Sequence, residues 1–211
     1  MTYFVVANVY TWWRGDDLPA LPPLRDLHCR RVDDVQLLAG LCNVGPQAIE
    51  TRLAMENNAY VAFLQDQAVA YGWTAAKTIG VADAGIEWPL SPPDRGLWEF
   101  ATLEPWRGRG IYPRLLQAIL RSEEAEADRF WIGHRADNPA SKYGIMKAGF
   151  ELCDIVVLTP DFQPRSVPRG NRERALADPQ GRHFGFVDAV DSELAAFDFE
   201  SAGNGPPQSS G

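Results

Sequence analysis

Leu97-Trp-Glu-Phe-Ala-Thr-Leu-Glu-Pro-Trp-Arg-Gly-Arg-Gly-Ile-Tyr-Pro113 opens the stretch that decides the fold, and Asn138-Pro-Ala-Ser-Lys-Tyr-Gly-Ile-Met-Lys-Ala-Gly-Phe150 closes it. Leu97 to Leu103 is aromatic and apolar, as a strand requires. It stops at Pro105, which cannot donate a ladder hydrogen bond. The turn Arg107-Gly108-Arg109-Gly110 carries two residues without Cβ, which can adopt positive φ and admit a ligand close to the backbone. Pro113 falls at an expected first helical position, where its missing N–H costs nothing. Leu115, Leu116, Ile119 and Leu120 then share one helical face, with Arg114, Gln117 and Arg121 opposite. A strand from Phe130 to Gly133 follows. Asn138 is placed to cap a last helix, Pro139 to open it, Lys147 to sit in its final turn and Gly149 to end it in the left-handed region.

A glycine turn that opens a helix gathers free backbone N–H groups at the positive end of the helix dipole. That arrangement suits a pyrophosphate, and Arg107 and Arg109 add positive charge. The spacing departs from the dinucleotide fingerprint, because Pro113 stands where the third glycine belongs, and no Gly-Lys-Ser/Thr follows to make a P-loop. Taken alone, the turn is equally an ordinary basic strand-to-helix connection.

The whole order, Arg107-x-x-Gly110-x-Tyr112, helix, strand, then Asn138-x-x-Ser141 and Lys147-x-Gly149-Phe150, resembles the GNAT superfamily of acetyl-CoA-dependent N-acetyltransferases. The resemblance runs from about Asp26 to Leu158. It implies an α/β (α+β) fold: a mixed, mostly antiparallel central sheet flanked by helices, with one parallel pair between central strands. Here that core carries an N-terminal extra strand or arm and a C-terminal extension. The resemblance also implies acetyl-CoA as co-substrate, held by Leu103, Arg107, Gly108, Arg109, Gly110, Ile111, Tyr112, Asn138 and Ser141. A backbone N–H near Leu103 would polarise the thioester carbonyl. Two departures stand out. The family turn usually ends in Gly or Ala, where this chain has Tyr112. Many members carry, two residues before the motif Lys, a Tyr that protonates the CoA thiolate; this chain has Ile145 there. Tyr143 lies about 200° away round the helix and faces elsewhere.

Amine acetylation needs a neutral amine, a polarised thioester and a proton for the thiolate. Strand alternation puts Leu97, Glu99, Ala101 and Leu103 on one face. Glu99 is the one ionisable group inside that strand, so it is the candidate catalytic base; the alternative is a carboxylate that pairs with an Arg or caps a loop. His134, at the end of the following strand, faces the cleft region and is a candidate acceptor contact, or else structural.

The chain has 211 residues, 45% of them hydrophobic, enough for one core with extensions. A net charge of −8 and a pI near 4.9 argue against a nucleic-acid partner and mildly favour a cationic substrate, while the same charge is equally accounted for by solubility alone. Cys29, Cys42 and Cys153 are odd in number and widely spaced, which fits reduced core thiols. His28, His134 and His183 share no ligand spacing, so no metal is expected. No apolar run suggests a membrane span, and the opening Met-Thr-Tyr-Phe-Val-Val-Ala lacks a basic n-region, so a cytoplasmic location is expected.

In order, residues 1–25 read as an N-terminal strand, Thr2 to Tyr10, and an aromatic arm bearing Trp12 and Trp13. Residues 26–158 form the acetyltransferase domain: a strand Asp26 to Val32, helices at Val35 to Cys42 and Pro46 to Met55, and a hairpin around Gln65-Asp66-Gln67. Lys77 to Gly96 has no clear period and reads as a long loop holding Asp83, Glu87, Trp88 and Asp94. Glu151 to Leu158 is a strand. Residues 159–200 form an extension packed on the domain: an ordered loop or linker from Pro160 to Gln180, a short strand His183 to Val187 and a short helix Ser192 to Phe197. Residues 201–211 are a disordered Gly/Pro/Ser tail. The long loop and the arm border the expected acceptor side, so Trp12, Trp13, Glu87 and Trp88 join His134 as candidate acceptor contacts. Aromatic faces and carboxylates suit a small-molecule amine. The alternatives are that Trp12 and Trp13 only cover a sheet edge, that the acceptor is a protein, or that the chain binds acyl-CoA without turnover. A homodimer is left open.

Overall fold

A computed structural model describes residues 2–81 and 86–198. Asp83 and the tail 201–211 lie outside the described residues. The elements are β1 (Tyr3–Trp13), β2 (Leu27–Val32), α1 (Val35–Cys42), α2 (Pro46–Ala54), β3 (Asn58–Leu64), β4 (Gln67–Ala75), β5 (Thr78–Val81), β6 (Ile86–Pro89) and β7 (Asp94–Thr102). They continue with α3 (Ile111–Glu123), β8 (Arg129–Arg135), α4 (Pro139–Ala148), β9 (Glu151–Leu158), β10 (Pro164–Pro168), α5 (Arg172–Ala177), α6 (Pro179–Phe184) and β11 (Leu194–Ala196). None of the described helices is long and apolar enough to cross a membrane.

The main sheet runs β10-β9-β1-β8-β7-β4-β3-β2, with β11 beside the start of β1. It is antiparallel except for β7 with β8 and β1 with β11, so the expected mixed, mostly antiparallel sheet is what the chain builds. The N-terminal segment, however, is not an arm. β1 continues through Trp12 and Trp13 and lies between β8 and β9, pairing with both. Tyr10, Thr11 and Trp12 are too apolar or too well paired there to be peripheral: Trp12 is 2% exposed, edge-on to Phe130. Without β1, β8 and β9 would have no partner between them.

Helices α3 and α4 cover one face. Ile111, Leu115, Leu116, Ile119 and Leu120 point into it from α3 and are fully buried, each contributing on the order of 1.5–3 kcal/mol. The far end of α3 is tied down by Glu123, 2% exposed. It accepts from Asn58, Tyr60 and Thr74 on one oxygen and from Arg95 at 2.9 Å on the other. On the opposite face α1 and α2 cover β2 to β4, through Leu38 and Ile49, while Ala177 and Phe184 of α5 and α6 pack on β1, β8 and β9.

The expected long loop is instead a hairpin, β5 with β6, whose Trp88 is buried edge-on to Phe184 of α6. The expected linker from Pro160 to Gln180 holds β10 and α5 and the start of α6. His183 to Val187 is not a strand: His183 and Phe184 end α6, and only Phe186 makes a bridge, to Ser166. Ser192 to Phe197 is not a helix: a 3₁₀ turn at Asp191–Glu193 leads straight into β11. Short windows of that length do not hold a helix unless packing favours it.

Docking this extension buries carboxyls. Asp154 of β9 is fully buried under α6, and neither of its oxygens finds a well-formed hydrogen bond. Burial, then the nearby Asp178, pushes its pKa from 3.8 to about 8, although Ser166 and the Val167 amide pull the other way. Between pH 3.8 and about 8 the unfolded chain therefore releases a proton that the folded chain keeps, so this contribution to stability is lost as pH rises through that window. Wild-type stability by urea denaturation should fall relative to Asp154→Asn over that range, by at most about 1.4 kcal/mol per pH unit. Taking the difference removes His134, whose lowered pKa acts in the opposite sense. Identical pH dependence in the two proteins would show that Asp154 is ionised in the fold.

Candidate functional site

The turn after β7 folds as its glycines demand. Gly108 and Gly110 have φ of 75° and 70°, and Gly110 is the N-cap of α3. The helix starts at Ile111, so Pro113 is its third residue, not its first; it is tolerated there because the first N–H groups of a helix have no intrahelical acceptor. Among the described residues nothing in the fold accepts from the N–H groups of Gly108, Arg109 or Gly110. Arg109 stacks over Trp106 at 4.7 Å, Arg107 donates to the Thr102 carbonyl at 3.1 Å, and Arg114 holds the Gly110 and Pro22 carbonyls.

A groove of about 680 Å³ opens over this turn. Of the residues expected to bind the cofactor, Arg107, Gly108, Gly110, Ile111, Tyr112, Asn138 and Ser141 line it. Leu103 and Arg109 do not: Arg109 is turned onto Trp106, and the Leu103 N–H is taken by the Val69 carbonyl at 2.9 Å. Ladder alternation then turns the N–H of its neighbour Thr102, which lines the groove, away from β4. The far wall is α4. Asn138 caps it by accepting from Ser141 N–H at 3.0 Å, Pro139 opens it, and Gly149 closes it at φ 106°. Tyr143 is 71% exposed on the rim, one residue before Gly144.

β7 does not alternate as expected. Tyr71 faces Ala101 but Trp73 faces Trp98, so β7 holds one residue more than β4 across this step, and Glu99 takes φ 50°. This is a β-bulge. The Phe100 ring fills the space above Gly72, where a Cβ would stand 2.1 Å from the ring. Leu97 and Phe100 face the α3 core; Trp98 and Ala101 face the other side. Glu99 is therefore not on the Leu97 face. Its carboxylate meets Arg52 of α2 in a two-pronged pair, 3.1 and 2.7 Å, and Arg52 lies over the Trp73 and Trp98 rings at 5.3 and 4.9 Å.

The bulge also ends the pairing of β7 with β8 at Leu97 and Ile132. Beyond them the two strands part around a cleft of about 170 Å³, with Glu99 on one wall and His134 on the other. His134 is 8% exposed and stacked on Tyr10, centroids 5.4 Å apart. Its Nδ1 lies 2.6 Å from the Arg135 carbonyl oxygen, so Nδ1 carries the hydrogen, and Nε2 accepts from the Tyr10 hydroxyl at 3.4 Å. Burial lowers the imidazole pKa and so favours the neutral ring, an effect that the Arg135 carbonyl partly offsets.

The other expected acceptor contacts lie elsewhere. Trp12 and Trp13 pair with Phe130 and Arg129, at the opposite end of β8 from His134. Trp13 donates to Thr11 and packs under Arg129 and Arg174. Glu87 is exposed on β6, and Trp88 is buried against α6. Neither borders the cleft. Asp94 is fully buried beside Arg129 at 2.6 Å and Trp131 at 3.2 Å. Arg52, Trp73, Trp98 and Tyr10 belong to no motif of the sequence. The bulge turns Glu99 to the α2 face, where Arg52 lies over Trp73 and Trp98, and nothing in the local pattern announces it.

No protein-family model matches this sequence, and no curated protein sequence matches it significantly. Solved structures do. A GNAT-family acetyltransferase from Colwellia psychrerythraea superposes over 74% of this chain with a TM-score of 0.53 at 14% identity. The chain has the GNAT fold. A GCN5-related N-acetyltransferase from Kribbella flavida covers 72% of the chain at 12% identity and a TM-score of 0.49. Each match spans only 56% of the other protein's length. In this chain the bulged strand β7 forms one side of the parting from β8 and leads, through a 3₁₀ turn at Glu104–Trp106, into the glycine turn.

Proposed function

We propose that this protein is an acyltransferase that moves the acetyl group of acetyl-CoA to the amine of a small molecule. The observation that carries the reading is continuity. The groove over the glycine turn and the cleft between β7 and β8 have Phe100, Tyr112, Asn138 and Ser141 in common. A cofactor whose pyrophosphate lies on the free N–H groups of the turn would run along the groove, between β7 and α4, and bring its acyl end to the cleft. Arg107 on the groove wall supplies charge for the phosphates, with Arg109 adding to it from beside the turn, and the Thr102 N–H is on the correct edge to polarise the thioester carbonyl. The catalytic unit in this reading is residues 26–158 together with β1, in the cytoplasm, where acetyl-CoA is available.

Glu99 is the base in this reading. A carboxylate has about four lone-pair positions, and Arg52 takes two of them, leaving the rest for the amine proton, directly or through water. His134, neutral with its Nε2 unprotonated, is a second candidate on the facing wall. The acceptor enters beside Glu99, Arg52 and Trp98, so a small amine carrying positive charge fits the carboxylate and the indole rings.

Free-thiol release from acetyl-CoA against a panel of amino sugars, amino acids and polyamines tests the proposal. Release that depends on one class of amine is the expected result. Tight CoA binding without release by any amine would make the chain a binding module, and release only with peptide N-termini would make the acceptor a protein.

A further inference from the structure

Acetyl transfer leaves the sulfur of CoA needing a proton, and Ile145, fully buried in the core, has none to give. If the reading above holds, the thioester must sit where the groove meets the cleft, because only there can a cofactor in one touch an acceptor in the other. Four residues form that junction. Phe100 has no acidic proton. The Asn138 side chain caps α4 through its oxygen, and a carboxamide is not an acid. Ser141 is an aliphatic alcohol, a far weaker acid than a phenol. The fourth is Tyr112.

Tyr112 is the second residue of α3, but its side chain reaches across to α4. Its ring lies against the bare backbone of Gly144: a Cβ there would stand 2.3 Å from Cδ1. On the other side the Phe100 ring packs against it, centroids 5.5 Å apart and tilted by 53°. The ring is therefore held between a helix backbone and the bulged strand, and the hydroxyl is directed to the Ser141 side of the junction. We propose that Tyr112 is the proton donor to the departing thiolate. The two departures from the family pattern, Tyr112 at the end of the turn and Ile145 in α4, are then one exchange: the phenol comes from α3, and Gly144 makes room for it. Burial raises this phenol to about 12, with Ser141 lowering it in part, so it is protonated at neutral pH.

The step balances as follows. The amine nitrogen attacks the thioester carbon and forms the C–N bond, and its extra proton leaves to the base. The C–S bond breaks with its electron pair on sulfur. The Tyr112 O–H proton moves to sulfur and gives the free thiol; the phenolate regains a proton from water at the groove mouth, past the Ser141 hydroxyl.

Tyr112→Phe keeps the ring and its packing and removes only the acid. With acetyl-CoA and a reactive amine, kcat should fall about 10²-fold, the low end for loss of a general acid because a thiolate is already a fair leaving group. Acetyl-CoA affinity by calorimetry should stay within about twofold, since every backbone donor of the turn is retained. With S-acetyl-4-nitrothiophenol, whose thiol leaves as the anion unaided, the variant should match wild type above the uncatalysed rate. Wild-type kcat in the variant, or equal loss with both donors, or a loss of acetyl-CoA affinity as large as the loss of rate, would overturn the assignment. A wild-type protein that releases no thiol with any amine would overturn the acetyltransferase reading itself, and is told apart from these outcomes because it needs no variant.

Discussion

Gly110→Val should weaken CoA binding by at least 10²-fold while the domain stays folded. Gly110 has φ 70°, and a β-branched residue in the left-handed region costs about 1–2 kcal/mol or more. Its new Cβ would also meet Arg114 Nη1 at 2.7 Å, displacing the guanidinium from the Gly110 carbonyl it holds. A flexible side chain can move, but the backbone must leave its conformation, and with it go the directions of the N–H groups before and after Gly110. A hydrogen bond to a charged oxygen is worth about 1.5–3 kcal/mol, so misaligning two of them accounts for the loss. Gly108→Ala is the instructive partner. Nothing lies within 4 Å of a Cβ there, so it bears the strain at φ 75° without a collision, and binding should weaken less. Calorimetry that finds wild-type CoA affinity in Gly110→Val would remove the turn from the cofactor site, whatever the fold.

Local chemistry explains which features could be read in advance. The cap at Asn138, the proline after it and the glycine at 149 are set by neighbours within one turn of helix, and they appear where the residue types place them. The left-handed glycines of the turn follow in the same way. Long-range features do not. β1 is β-rich to the eye, but its seat between β8 and β9 depends on strands more than a hundred residues away, and the apolar Trp12-Trp13 looks the same in a core strand as in a binding arm. The bulge at Glu99 is a second case. Strict alternation places Glu99 beside Leu97; one extra residue in β7 between Trp98 and Ala101 turns it to the α2 face, and the Phe100 ring that lies over Gly72 there is a contact between strands. In the extension, short windows of mixed propensity became helix or strand according to what they packed on, Phe184 on Trp88 and β11 on β1.

Glu99→Gln should lower kcat by about 10²- to 10⁴-fold, the range for loss of a general base, with CoA affinity unchanged because the variant lies away from the glycine turn. The side chain keeps its shape, so the bulge and the contact with Arg52 remain in outline while the negative charge is gone. The competing account is that Glu99 exists to anchor Arg52 between Trp73 and Trp98, a partly buried pair at 2.7 Å. The two accounts separate on the pair. If anchoring is the role, Arg52→Gln and Glu99→Gln should lower the melting temperature by similar amounts and leave kcat nearly alone. If Glu99 takes the proton, Glu99→Gln should lose rate far beyond any loss of stability, and the limb of the pH–rate profile that rises with base ionisation should disappear. His134→Gln sharpens the result. Its imidazole is held neutral by burial and faces the same cleft, so a limb that persists in Glu99→Gln but is lost in His134→Gln moves the base across to the other wall. A profile in Glu99→Gln that matches wild type in both height and shape would leave the carboxylate with Arg52 alone.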